Sequence, residues 1–249
     1  MSTSQPPLAK LVRKLASRHR LEEEDRAAIL ALPYVTRTYE PAAYLVREGE
    51  PPRRHCSFIT AGFAFRQKLT IQGARQIVSI HMDGDILDLQ HLFLKHADHN
   101  VQALTRLDTA EVESDALQAL ALTRPAIGAA MWVDALIDAS ISREWVLNVG
   151  RRDARTRIAH LLCEFAVRMG RLGLGTEGRY ELPMTQEQLG DATGLTSVHV
   201  NRTLKSLAAD GLIHRDRRYL SFSDWEKVRA VADFSGLYLH LDQSLPPAE

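Results

Sequence analysis

Apolar positions along the chain keep two different periods, and the places where one gives way to the other mark its parts. Leu8, Leu11, Val12 and Leu15 recur at helical spacing with Lys10, Arg13, Lys14 and Arg18 around them, the pattern of a short amphipathic helix. A helix this short is expected to pack on its own domain rather than on a membrane. Residues 1–7 before it read as a disordered leader. A second helix over 21–30 stops before Pro33, whose ring cannot continue it. From 34 to 114 the period falls to two. The runs 57–60, 64–69, 76–81 and 109–113 alternate, and Gly49, Gly62, Gly73 and Gly84 punctuate this region at nearly even intervals, which predicts hairpins closed into an antiparallel barrel or roll.

Helical spacing returns from 120 to 148. Ala126, Ala130, Val133, Ile137 and Ile141 make one stripe, and Ala129, Trp132, Leu136 and Ala139 make a second. Two stripes need two surfaces, one on the chain's own roll and one on the same helix of a second copy. Ala130, Val133, Ile137 and Ile141 are assigned to the seam between copies. At 148–153 a glycine and a cluster of charges interrupt the pattern and offer a hinge. The next helix turns Ala154, Ile158, Leu161, Leu162, Phe165 and Ala166 inward, with Cys163 filling core space. Gly170, Gly173, Gly175 and Gly178 follow as a turn, because they lack the strand-to-helix setting of a phosphate-binding loop. A last helix over 224–234 is expected to be boxed by Ser223 and Glu226, with a surface tail beyond Gly236.

Residues 184–214 carry the most specific pattern. Thr185 with Gln188 is a capping box that starts a short helix at Gln186. Gly190 falls where a second helix must come close, and Gly194 where the chain needs a left-handed residue. Thr196 then caps a helix anchored inward by Val200, Leu204 and Leu207. The opposite face carries Ser197, His199, Asn201, Arg202 and Lys205, donors able to reach bases and phosphates in a major groove. Two apolar-alternating runs, 212–214 and 219–222, follow, joined by Arg215, Asp216, Arg217 and Arg218. They form a basic wing suited to the phosphate backbone.

The chain has 249 residues, enough for two domains, and its 31 basic and 31 acidic residues give zero formal charge. Affinity for nucleic acid must therefore come from a local surface, here Arg151, Arg152, Arg155, Arg157, Arg202, Lys205, Arg215, Arg217 and Arg218. Cys56 and Cys163, the two cysteines, stand far apart and indicate free thiols in a cytoplasm. No apolar run reaches the length of a membrane span.

On residues 150–164, GRRDARTRIAHLLCE, and 182–202, LPMTQEQLGDATGLTSVHVNR, together with the order of elements, the chain resembles the Crp/Fnr family of bacterial transcription regulators. The resemblance implies an α+β chain. N-terminal helices take 1–33, an antiparallel, jelly-roll-like β-roll sensor 34–119, a dimerisation helix 120–149, a winged helix-turn-helix 150–235 and a C-terminal tail 236–249. It places Thr196, Ser197, Val198, His199 and Arg202 against DNA, with Arg202 suited to guanine O6 and N7, and Thr185, Asn201, Lys205, Arg217 and Arg218 complete the expected contacts. The implied partners are a pseudo-palindromic double-stranded operator, a second copy of the chain and RNA polymerase.

The sensor half departs from the family's cyclic-nucleotide binders. Those place a glycine and a glutamate before a short helix and an arginine with serine or threonine after it. Here Asp85 follows Gly84, and Asp98 with His99 falls at the arginine position. An Asp98 carboxylate facing a phosphate in a partly dry pocket would repel it. No cysteine precedes Cys56, so the cysteine cluster of the iron–sulfur branch is missing. The pocket is assigned to Ile80, Asp85, Ile86, Leu89, Asp98, His99 and Val101, for a small-molecule effector other than a cyclic nucleotide, or for none. His81, Asp85, Asp88, His91, His96, Asp98 and His99 repeat no ligand spacing and read as surface or hydrogen-bonded groups, with neither metal nor cofactor expected. A metal or haem sensor with DNA binding secondary is the competing reading. An enzyme built on His81 and Asp85 lacks a nucleophile motif.

Overall fold

The computed structural model describes residues 6–174 and 179–241. Most of the expected leader, Gly175 and Gly178 of the expected turn, and residues 242–249 of the expected tail lie outside the described residues. The chain divides into two compact units. One holds 6–68, 79–139 and 240–241, and the other holds 69–78, 140–174 and 179–239.

In the first unit, α1 (Ala9–Ala16) and α2 (Glu23–Leu30) precede a two-sheet roll. The strands of the roll are β1 (Tyr34–Tyr39), β2 (Tyr44–Val46), β3 (His55–Ala61), β4 (Ala64–Leu69), β5 (Arg75–His81), β6 (Asn100–Ala103) and β7 (Leu107–Glu113), with Leu69 and 75–78 counted in the other unit. They are ordered β1-β7-β3 in one sheet and β2-β6-β4-β5 in the other. Strands β1, β2 and β6 lie outside the alternating runs expected from the sequence. The register of β1 on β7 runs from Tyr34 opposite Val112 to Tyr39 opposite Leu107. Turns fall at the four expected glycines, with φ between 85° and 95°, a backbone that a Cβ disfavours. The α1 stripe, Leu8, Leu11, Val12 and Leu15, is buried against Phe58, Val112, Leu117 and Ile127. Its basic face pairs inside the same unit, Lys10 with Asp83 and Lys14 with Asp85.

The expected helix over 120–149 is two helices, α3 (Ser114–Thr123) and α4 (Pro125–Arg151), bent by 112° at Arg124. Proline explains the break. Its missing N–H costs nothing at the first helical position, and it drives Arg124 to an extended φ of −122° and ψ of 95°. The expected hinge shrinks to Arg152 and Asp153, since α4 runs on through Gly150 and the Asp153 carboxylate caps the next helix by accepting from Thr156 N (2.8 Å).

The second unit is built on that helix, α5 (Ala154–Arg171), which packs against α6 (Gln186–Thr193), α7 (Ser197–Ala209) and α8 (Trp225–Val231). Strands β8 (Arg179–Glu181), β9 (Ile213–Asp216) and β10 (Tyr219–Phe222) form the wing sheet, in the order β8-β10-β9. Two expectations change here. Helix α8 is capped by Asp224, which accepts from Lys227 N (3.1 Å), rather than boxed by Ser223 and Glu226. The start of the tail is not a surface segment either: Tyr238 and Leu239 are buried, and the Tyr238 hydroxyl donates to Glu164 (2.9 Å). Among the described residues no single helix is long and apolar enough to cross a membrane.

Candidate nucleic-acid interface

Local chemistry fixes the α6–α7 pair. Thr185 Oγ1 accepts from Gln188 N (3.2 Å) and Gln188 Oε1 accepts from Thr185 N (2.8 Å), so two backbone donors at the start of α6 are matched reciprocally. Gly194 ends α6 with φ +68° and ψ 35°. A Cβ on Gly190 would lie 2.4 Å from the Leu195 carbonyl oxygen, so only glycine allows the turn to close this tightly. Thr196 caps α7 by accepting from His199 N (3.3 Å). Each capping hydroxyl accepts from the backbone, which leaves its own hydrogen for another acceptor.

Burial of Val200, Thr203, Leu204 and Leu207 orients α7. The face left outside presents Ser197, Val198, Arg202 and Lys205, all exposed, with His199 and Asn201 half-buried beside them. Gln186 joins Ser197, Val198, Asn201, Arg202 and Lys205 around an open groove of about 450 Å³. Among the described residues Arg202 and Lys205 have no ion-pair partner, so their donors are available to DNA.

The structure narrows the expected basic surface. Arg155 is spent on Ser206 (2.8 Å) and Asp210 (2.6 Å), tying α5 to α7. Arg157 donates to the Arg152 and Thr193 carbonyls (2.9 and 3.0 Å), and Arg152 pairs with Glu144 and Asp233. These three arginines build the scaffold. In the wing, Arg217 sits at the tip with φ +54°, while Arg218 lies 3.5 Å from Glu181. Arg179 stacks on the Tyr219 ring (4.4 Å) and pairs with Asp216 (2.9 Å), which stiffens the hairpin.

The seven residues assigned to an effector pocket do not share one apolar cluster. Ile86 and Leu89 pack into the cluster under α1, and Val101 into a separate one with Ile59 and Leu87. Asp85 is buried, paired with Lys14 and accepting from Met82 N (3.0 Å). Ile80 and His99 are buried, but the Asp98 side chain is 77% exposed, bound to His99 Nδ1 (2.7 Å). The polar interior that does form was missed. It centres on Arg66 of β4, which donates to Asp138 of α4 (2.5 Å) and to the Leu87 carbonyl (3.2 Å). Its only signal was a charge inside an otherwise strand-like run. Burial, and next the field of Arg66, hold His81 and His99 below the ordinary imidazole value of 6.5. No three His, Cys, Asp or Glu side chains among the described residues converge as a metal-ligand set.

The face of α4 expected to make the seam packs largely within its own chain. Ala130 and Ile137 are buried in their own chain, with Val133 and Ile141 half-buried beside them. The other stripe is open: Trp132 is 71%, Leu136 61% and Val146 74% exposed. With exposed Ala139 and Arg143 between them, its steps alternate between four and three residues, the spacing of a two-stranded coiled coil.

A β-roll, a long helix and a winged helix-turn-helix with an unspent basic recognition face define a DNA-binding transcription regulator. The comparisons agree with that class. Residues 36–124 match the cyclic nucleotide-binding domain and residues 156–231 the Crp-like helix-turn-helix domain. The chain belongs to the Crp/Fnr family of transcription regulators. It is 26% identical over 213 residues to the transcriptional activator protein FnrL of Cereibacter sphaeroides, covering 84% of each chain. It is 28% identical over 208 residues to the nitrogen fixation regulation protein FixK of Rhizobium meliloti, covering 81% of this chain and 89% of that one. Its fold is similar to that of FixK2 from Bradyrhizobium japonicum, with a TM-score of 0.72 and 23% identity over 80% of this chain and 98% of the other.

Proposed function

We propose that the protein works as a cytoplasmic homodimer that places two copies of α7 in successive major-groove turns of a pseudo-palindromic operator, within reach of RNA polymerase. The observation that carries this reading is the pair of unspent surfaces: the α7 groove with Arg202 and Lys205, and the exposed seam of α4 with Trp132 and Leu136. An exposed apolar seam of this spacing is costly on a monomer and is covered by an identical helix about a two-fold axis. A two-fold axis through α4 relates the two recognition helices, which suits half-sites about one turn of B-DNA apart. The effector is a small molecule other than a cyclic nucleotide, or none, because no arginine stands at position 98 or 99. Thr185, Thr196, Ser197, His199 and Asn201 complete the contact set, and the wing arginines add affinity without sequence preference.

Selection from a random double-stranded DNA pool, paired with sedimentation of the free protein, tests this. Enriched inverted repeats and a dimer are expected. A monomer that enriches a single asymmetric site would replace the dimer reading.

A further inference from the structure

We propose that Val198 is a specificity-determining residue that reads the 5-methyl group of one thymine in each half-site. The proposal deepens the DNA-binding reading above and rests on it. Val198 is 77% exposed in the first turn of α7, where recognition helices meet base edges. Neither packing nor helix formation accounts for it. The inward face is complete with Val200, Thr203, Leu204 and Leu207, and a β-branched residue is a mediocre helix former at an exposed site.

Its neighbours point to a role. Asn201, Arg202 and Lys205 lie three, four and seven residues further on, so all four share one helical face, and they line one groove. Around Val198 every other side chain lining that groove carries a hydrogen-bonding group. Major-groove edges of guanine, adenine and cytosine present donors and acceptors that a valine cannot match, whereas thymine adds a methyl group that a branched apolar side chain covers well. Arg202 on a guanine edge would therefore hold Val198 over a neighbouring base pair and favour thymine there, by attraction to the methyl and by leaving other bases' polar edges unmet.

The test starts from a site selected by the full-length protein, with each thymine replaced in turn by deoxyuridine, which removes only the methyl. One thymine per half-site is expected to matter, with about fourfold weaker binding for one replacement and about fifteenfold for both. Val198→Ala, which removes both Cγ methyls and leaves only Cβ, should lose most of the difference between the thymine and deoxyuridine sites and still require the guanine read by Arg202, while Val198→Thr, which keeps a Cγ methyl, should retain the preference. If no thymine methyl matters, or if the effect persists in Val198→Ala, the proposal is overturned and the DNA-binding reading stands. If no site is enriched, or Arg202→Ala leaves specific binding unchanged, that reading falls and takes the proposal with it.

Discussion

The two units treat their buried polar groups differently. In the second, Glu164 accepts from Trp145 Nε1 and from the Tyr238 hydroxyl, both at 2.9 Å, and His160 lies between that hydroxyl and the Ala232 carbonyl, 3.1 Å from each. The side chains of this network are matched to one another, and the unmatched buried atoms of this unit, among the described residues, are Asn148 Oδ1 and Arg152 Nη1, the latter still paired by charge with Glu144. In the first, buried Arg66 Nε, Gln67 Oε1 and both ring nitrogens of His91 lack hydrogen-bond partners. Each such atom costs about 1 to 3 kcal/mol. A unit that reads DNA works on its surface and gains from a finished interior. The β-roll keeps its unmatched chemistry inside, which makes it the softer unit and the one that conditions should perturb first.

The largest test of this contrast targets the proposed pairing of two copies. Leu136→Glu puts a charge in the α4 seam without touching either interior, since Leu136 is 61% exposed. Monomers that keep their helical circular dichroism but bind the operator about a thousandfold or more weaker are expected. A variant that still sediments as a dimer would remove α4 from the interface. Next comes the reading face itself: Arg202→Ala should cost about 1 to 3 kcal/mol on the selected site and far less on random DNA. Equal losses on both would reduce Arg202 to a phosphate contact.

Replacing the wing arginines should have a smaller and less selective effect. Arg217→Ala is expected to lower the slope of log affinity against log salt by about 1 on any duplex. Arg218→Ala should change it less, because Glu181 already faces Arg218. Titrations of both variants from low to high salt decide this, and unchanged slopes would take the wing away from the backbone.

The same contrast governs what could be read from the chain. Thr185, Gln188, Gly190, Gly194 and Thr196 act within a few residues of themselves, so their roles followed from spacing alone. The glycine turns of the roll were legible for the same reason. The polar interior of the roll was not, because it is made by residues far apart in sequence, such as Arg66 and Asp138 joined across β4 and α4. Two apolar stripes on α4 were visible, but which of them faces inward depends on the path taken after Pro125. Similarly, Arg155 and Arg157 count as basic surface until α7 and the end of α6 are seen to take their donors.

Acid should expose the softer unit. His81, His91 and His99 all titrate below their ordinary 6.5, chiefly through burial. The unfolded chain therefore binds more protons than the folded one between the lowered values and 6.5, and stability rises with pH across that window. The stabilising effect of keeping these rings neutral is complete above about 6.5 and is lost as pH falls below it. Since His160 is the comparable ring in the second unit, hydrogen exchange at falling pH should open amides of β4, β5 and β6 before those of α5 and α7. Simultaneous opening of both units would break the contrast.

The smallest effect expected is no effect at all, from cyclic AMP or cyclic GMP. From the sequence, an Asp98 carboxylate is expected against the phosphate, but that side chain is 77% exposed and the Asp98 backbone carbonyl accepts from Lys68. A carboxylate so placed is screened by water and repels little. What remains is a missing contact, since no arginine stands at either position. Arg66, a half-buried guanidinium, is held by Asp138 and the Leu87 carbonyl, and would have to give up both to serve. Charge-assisted bonds are worth roughly 1.5 to 3 kcal/mol each, and 1.4 kcal/mol is about tenfold in affinity, so losing a two-bond grip moves a micromolar site to millimolar or weaker. Calorimetry with either nucleotide below millimolar concentration should therefore give no saturable heat. Saturable binding that disappears in Arg66→Ala would mean that Arg66 leaves Asp138 for the phosphate, and that the β-roll senses cyclic nucleotides through a residue of β4.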